Sequence, residues 1–254
     1  MSLKVRTWLE LLALEQPKLL YYLDNQLLSY GGTMFIYGRA GVYKSFLAIE
    51  LMYALATGKR WLAWNTIGTP LRTLMIQTEQ VEAMYQDRAL DYTRKRITGQ
   101  NEKQLIDANM LSVTAQDLRL DHMGIAQLRV LIQQHQPQAV IIDCLYRVVS
   151  STSDPAIMKP FFDDLTLLSA EFGTAFIIIH HRRKESDEDH GFDELTGWAG
   201  IANWADSILR VNRDGTSNNL ELIWEKTKNA RKQVEDVSIY VDQENLRFLQ
   251  KQKS

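Results

Sequence analysis

A chain of 254 residues, 45% apolar and 24% charged, has the size and composition of one globular α/β domain with a large core. Its net charge of −2 excludes a global basic field, so any contact with DNA or RNA has to come from local patches or from an assembled ring. The single cysteine, Cys144, excludes a disulfide framework and fits a reducing cytoplasm; no apolar run is long enough to span a membrane, and Met1-Ser2-Leu3-Lys4 opens no apolar signal segment, so a cytoplasmic location is expected.

Residues 5–15 (Val5, Trp8, Leu9, Leu11, Leu12, Leu14) have the pattern of a short amphipathic helix ended by Pro17. Leu19-Leu20-Tyr21-Tyr22-Leu23 and Leu27-Leu28 form an apolar lead-in that packs under its own sheet or, alternatively, on a neighbouring subunit. Behind the turn pair Gly31-Gly32, Thr33 to Tyr37 is a short apolar, β-rich run. Phe46 to Ala56 then has the length and periodicity of a buried helix ending at Gly58.

Between that strand and that helix lies Gly38-Arg39-Ala40-Gly41-Val42-Tyr43-Lys44-Ser45. Strand, Gly-rich turn, Lys-Ser and helix is the context of a phosphate-binding loop. Free N–H groups at a helix N-terminus cradle an anion and the helix dipole adds to them. Gly38 through Phe46 are thus the candidate ATP-binding residues, with Lys44 reaching the terminal phosphates and the Ser45 hydroxyl holding Mg²⁺. Tyr43 stands where the motif asks for glycine, the residue that tolerates positive φ and close backbone approach. An intact cradle therefore predicts an ordinary φ at Tyr43 with the ring outward; a distorted one predicts a weakened site.

Trp61 to Trp64 and Gly68-Thr69-Pro70 make a turn-rich connection to a second strand, Thr73 to Gln77, followed by Thr78-Glu79-Gln80. A polar helix is expected over 82–97, a strand at Met110–Val113 and a helix over His122–Gln134 that Pro137 stops. Ala139-Val140-Ile141-Ile142-Asp143 is a continuous apolar run ending in a carboxylate, the pattern of a strand buried on both faces. Pro155–Phe172 predicts a helix that Pro160 can restart or kink, capped by Gly173 and followed by a buried strand, Ala175 to His181. Residues 182–194 form a charged loop expected to be mobile, Thr196–Trp204 a small-residue helix, and Ser207–Val211 a strand. Leu220–Trp224, Val237–Val241 and Leu246–Leu249 read as antiparallel edge strands. The alternation predicts an α/β fold: a twisted, mostly parallel sheet with helices on both faces and antiparallel strands at its C-terminal edge. Ligands then belong at the carboxyl ends of the strands, where the loop, Glu79, Asp143 and His180 converge.

In this order, Gly38…Lys44-Ser45, Glu79, Ile141-Ile142-Asp143, Ile178-Ile179-His180-His181 and Lys226-Thr227-Lys228-Asn229-Ala230-Arg231 resemble the motifs of RecA-like ATPases. The nearest look is to RepA-type hexameric helicases and related single-domain ATPases of plasmids, phages and mobile elements, over roughly residues 18–250. The resemblance implies one RecA-like ATPase domain across 1–254, residues 1–30 being an N-terminal helix and lead-in. It implies Asp143 as the Walker-B aspartate that holds Mg²⁺ through water, Glu79 as the base that orients the attacking water, and His180 as the γ-phosphate sensor. Lys226, Lys228 and Arg231, with Arg210 as an alternative, are implied to serve the nucleotide of the next subunit. The plainer readings are a capping carboxylate at Asp143, a loop acid at Glu79, a core histidine at His180 and a solvated charge run for the cations. The implied activity is Mg-ATP hydrolysis coupled, in a homo-oligomeric ring (a hexamer in the nearest family) or filament, to action on single-stranded DNA, in replication or repair of a phage or mobile element. The alternatives are a nucleotide-binding assembly module with little turnover, or a structural homologue that binds no nucleotide. The loop residues argue least for DNA: Tyr146 and Arg147 in one, and Arg182, Arg183 and Lys184 offset by Glu185, Asp187, Glu188, Asp189 and Glu194 in the other.

Overall fold

The computed structural model describes residues 4–17, 20–94, 96, 97, 99–181, 200–213, 215 and 217–250. The charged loop expected over 182–194 lies outside these residues, as does the start of the helix expected from Thr196. In chain order the elements are α1 (Trp8–Leu12), β1 (Tyr21–Leu23), β2 (Leu28–Ser29), β3 (Thr33–Gly38), α2 (Lys44–Thr57), β4 (Thr73–Gln77), α3 (Glu82–Arg94) and α4 (Gln100–Asn109). They continue with β5 (Met110–Thr114), α5 (His122–His135), β6 (Ala139–Asp143), α6 (Leu145–Val148), α7 (Pro155–Phe172) and β7 (Ala175–His181). The chain then adds α8 (Gly200–Trp204), β8 (Ser207–Arg213), β9 (Asn219–Thr227), β10 (Val237–Asp242) and β11 (Arg247–Gln250).

One sheet runs in the order β11-β10-β9-β8-β3-β7-β6-β4-β5. From β8 to β5 every pairing is parallel, and β9, β10 and β11 add antiparallel to the far side of β8. This is the expected α/β architecture. The central strands β3, β6 and β7 are apolar on both faces because each face is covered by helices. Met34, Ile36, Ile141, Ile177 and Ile179 face a core shared with α2 and with Tyr22, Leu23, Leu27 and Leu28 of the β1–β2 hairpin. Their neighbours Phe35, Tyr37, Val140, Ile142, Phe176 and Ile178 face a second core under α5, α6 and α7. The apolar lead-in therefore packs beneath its own sheet, the first of the two choices the sequence left open.

Three local outcomes differ from the sequence pattern. α7 runs through Pro160 without a break. α4, over a stretch with no apolar stripe, is held by a polar contact: the buried Glu102 carboxylate accepts hydrogen bonds from Tyr53 on α2 and from Lys59. The N-terminal amphipathic segment condenses to a single capped turn, with Thr7 and Glu10 forming a reciprocal capping box, and buries nothing: Trp8 is 72% exposed and Leu9 77%.

Candidate functional site

The carboxyl ends of β3, β7, β6 and β4 lie side by side, so the residues just beyond them meet on one rim. There Gly41 to Phe46, Glu79, Arg88 and His181 line an open cleft of about 330 Å³. Gly38 ends β3 with φ +159°, and a Cβ there would sit 2.3 Å from the Val211 carbonyl oxygen, so only glycine lets the loop leave the sheet beside β8. Gly41 takes φ +78°. α2 starts at Lys44 and presents its N-terminal N–H groups to the cleft. The Lys44 ammonium donates to the Gly38 and Arg39 carbonyls, at 2.9 and 2.6 Å, which folds it back over the loop. Burial pushes its pKa down to about 8, opposed by the nearby Asp143 and Glu79 charges.

Tyr43 corrects the expectation of an ordinary φ: it sits at φ 63°, ψ 19°, the left-handed conformation a glycine would take. The backbone cost, about 1–2 kcal/mol for a non-glycine residue, is set against contacts that hold the ring. Its hydroxyl accepts a hydrogen bond from Gln243 at 2.7 Å, and the Arg213 guanidinium lies 5.0 Å from the ring centre. Arg213 also donates to the Gly41 carbonyl at 3.2 Å, so the antiparallel edge of the sheet grips the loop at two points.

Asp143, at the end of β6, is buried beside the Ser45 hydroxyl, which hydrogen-bonds its carboxylate. Its pKa is raised to about 6, chiefly by burial. Among the described residues its Oδ1 has no hydrogen-bond partner. A buried carboxylate oxygen without a partner next to a hydroxyl is a donor set that suits Mg²⁺. Glu79, two residues beyond β4, accepts through Oε1 from Cys144 Sγ (3.2 Å), Tyr146 Oη (3.0 Å) and His181 Nε2 (3.1 Å). The His181 hydrogen bond is the main cause that holds its pKa down at about 2. Glu79 is therefore an ionised acceptor, suited to orienting a water rather than to strong proton abstraction.

The structure brings together the loop, Ser45, Asp143 and Glu79, but not His180. Side chains alternate along β7, so His181 shares the face of Ile177 and Ile179, toward α2 and the loop, while buried His180 shares the opposite face with Ile178. His181, not His180, lines the cleft; only the register of β7 tells these adjacent histidines apart. Arg210 is buried and paired with Glu225 at 2.7 Å, which removes it from any surface role. Lys226 donates to the Ala202 carbonyl at the end of α8 at 2.6 Å. Lys228 is paired loosely with Asp206 at 3.4 Å and its side chain is 59% exposed. Arg231 Nε lies 2.9 Å from the Gln26 side-chain amide, turned to accept from it. Thr227 pairs with Ser207 and Ser207 with Met34, so this cation group sits at the end of the sheet opposite its own loop. Cys144, Arg88, Arg213 and Gln243 carry no motif signal and join the site only through the fold.

No curated protein sequence matches the chain. Among solved structures, the ATPase domain of a helicase superposes with a TM-score of 0.65 at 14% identity, covering 88% of this chain and 86% of that one. A KaiC-like protein of the hyperthermophilic archaeon Pyrococcus horikoshii superposes with a TM-score of 0.63 at 11% identity, covering 94% of this chain and 99% of that one. At these identities the likeness is one of fold. A family model described as an AAA domain matches residues 2–187. The chain accordingly belongs to this AAA-domain family, and is a RecA-like P-loop ATPase domain by fold and by lineage.

Proposed function

We propose that the protein binds and hydrolyses Mg-ATP at the rim of β3, β7, β6 and β4, and does so as a homo-oligomer acting on single-stranded DNA. The observation that carries this reading is the convergence in one cleft of the Lys44–Ser45 loop, a buried Asp143 with an unpartnered oxygen, and an ionised Glu79. Lys44 and the N-terminus of α2 hold the phosphates, and Ser45 and Asp143 hold the magnesium ion. Bound there, the ion supplies charge that offsets the phosphate oxygens. Glu79 orients the attacking water, while His181 and Tyr146 fix its carboxylate. Residues 1–254 act as one domain, a reading supported by the single sheet that carries the chain from Thr33 to Gln250.

Self-assembly is supported by two features. The exposed Trp8, Leu9 and Leu12 of α1 present an apolar turn. Lys228 and Arg231 lie at the end of the sheet remote from their own loop, where they can serve a neighbour's site. DNA action rests on less. Tyr146 and Arg147 stand together after β6, guanidinium 5.6 Å from the ring, and Tyr146 hydrogen-bonds Glu79, so a strand docked there would reach the catalytic carboxylate through one side chain.

The test uses Mg-ATP with and without oligo-dT. Wild type is expected to gain thermal stability and release phosphate, and Glu79→Gln to keep the gain and lose phosphate release. A thermal gain in wild type without any release of phosphate would instead establish the nucleotide-binding assembly module. No gain at all would remove the nucleotide site.

A further inference from the structure

Glu79, Cys144 and His181 come from the ends of β4, β6 and β7, three strands adjacent in the sheet. Their ligand atoms all lie within 4.8 Å of one another, with Oε1 3.2 Å from Sγ and 3.1 Å from Nε2. Zinc bonds of about 2.0–2.3 Å in tetrahedral array place neighbouring ligand atoms roughly 3.3–3.6 Å apart. The observed separations are short of that by only a few tenths of an ångström. The donor types also agree. Thiolate, imidazole and carboxylate together select a borderline-soft ion, whereas the hydroxyl and carboxylate of Ser45 and Asp143 suit a hard one.

We propose that Glu79 Oε1, Cys144 Sγ and His181 Nε2 form a binding site for a thiophilic divalent cation of the Zn²⁺ class, with its fourth position open to the cleft. On binding, the Cys144 thiol proton leaves to solvent, and lone pairs on sulfur, nitrogen and oxygen enter the metal shell with no change of oxidation state. Glu79 and His181 reach the cleft, which gives the ion its entry; Cys144 closes the site from the buried side. Tyr146, 3.0 Å from the same Glu79 oxygen, becomes an outer-shell donor that orients the carboxylate. A bound ion takes Glu79 away from water. Occupancy therefore switches hydrolysis off while leaving the phosphate loop intact. This consequence rests on the hydrolytic reading given above; the metal binding does not.

The chain has one cysteine, so any sulfur-to-metal signal reports on Cys144 alone. Adding CoCl₂ to metal-free protein is expected to produce a thiolate-to-cobalt charge-transfer band and intense tetrahedral visible bands, saturating at one ion per chain and abolished by Zn²⁺. Cys144→Ser should lose the charge-transfer band. His181→Asn, which leaves the thiol in place, should lose the tetrahedral bands while its metal-free melting curve stays close to wild type. Absence of the charge-transfer band in wild type, or an unchanged spectrum in His181→Asn, overturns the site. In a second arm, ZnCl₂ added to wild type with Mg-ATP should stop phosphate release, and a zinc-selective chelator should restore it. Full hydrolysis with zinc bound overturns the switch but not the site. A wild type that never hydrolyses ATP fails the earlier reading, and the cobalt spectra still decide this one.

Discussion

Tyr43 shows how a side chain can stand where a backbone conformation asks for glycine. Its left-handed φ of 63° is strained for any residue with a Cβ, yet its hydroxyl and ring are held by Gln243 and Arg213. Tyr43→Ala keeps the strain and loses the contacts; Tyr43→Gly loses the contacts and the strain together. Tyr43→Gly is therefore expected to be the more stable of the two by about 1 kcal/mol, with wild type above Tyr43→Ala, measured by urea unfolding. Equal stability of the two variants would show that the residue is not left-handed in solution. Because the loop already has the glycine conformation, Tyr43→Gly should change ATP affinity little. Lys44 is the cation aimed into the cradle. At ATP a hundred times its Kd, binding stabilises the folded state by about 2.7 kcal/mol, on the order of 5–10 °C in Tm for a chain of this size. Lys44→Ala is expected to abolish that shift; an undiminished shift would place the nucleotide elsewhere.

Among the elements, α4 and the β6–α6 junction are set by polar contacts that hydropathy does not register. Glu102 is 8% exposed and accepts from Tyr53 and Lys59. Glu102→Ala leaves the Tyr53 hydroxyl unpaired in a mostly buried site and should cost about 1–3 kcal/mol, read as a lower urea midpoint with an unchanged slope. A variant as stable as wild type would mean that α4 is held by something other than this contact. At the junction, Tyr146 is the one link between the expected DNA-facing residues and Glu79. Tyr146→Phe should leave basal ATP hydrolysis within a few-fold of wild type and remove its stimulation by oligo-dT. Stimulation that survives the loss of the hydroxyl would sever the proposed route from strand to carboxylate.

For the whole molecule, the sheet order determines which cations can serve which site. Arg210 and Lys226 are committed within the chain, and Lys228 and Arg231 stand at the end away from the loop. An arginine supplied in this way can contribute on the order of a thousandfold in rate, and a lysine acts as a point charge without the bidentate fork. Lys228→Ala should lower hydrolysis by roughly tenfold or more while the Lys44-dependent thermal shift remains. Mixing Lys228→Ala with Glu79→Gln should restore part of the activity, since some interfaces then pair an intact Glu79 with an intact Lys228. No recovery, with subunit exchange demonstrated, would place the cation in the same chain or show a working monomer.

The sequence by itself determined the strands, the phosphate loop and the class of sheet, because these rest on local patterns: apolar runs of strand length, a Gly-rich turn before Lys-Ser, and the long apolar helix that follows. It also determined Asp143 and Glu79 as residues at strand ends. Only the tertiary structure decided what depends on register and on distant partners. A shift of one residue along β7 exchanges His180 for His181 at the cleft, and no periodicity separates two adjacent histidines. The left-handed Tyr43 depends on Arg213 and Gln243, which are 170 and 200 positions further along the chain. Arg210 was lost as a surface cation because Glu225 faces it across the β8–β9 pairing. Cys144 entered the site because β4, β6 and β7 are neighbours in the sheet though far apart in sequence. Local order follows from local sterics and hydrophobic spacing; the chemistry of the cleft follows from which strands pair, and that is a property of the folded chain.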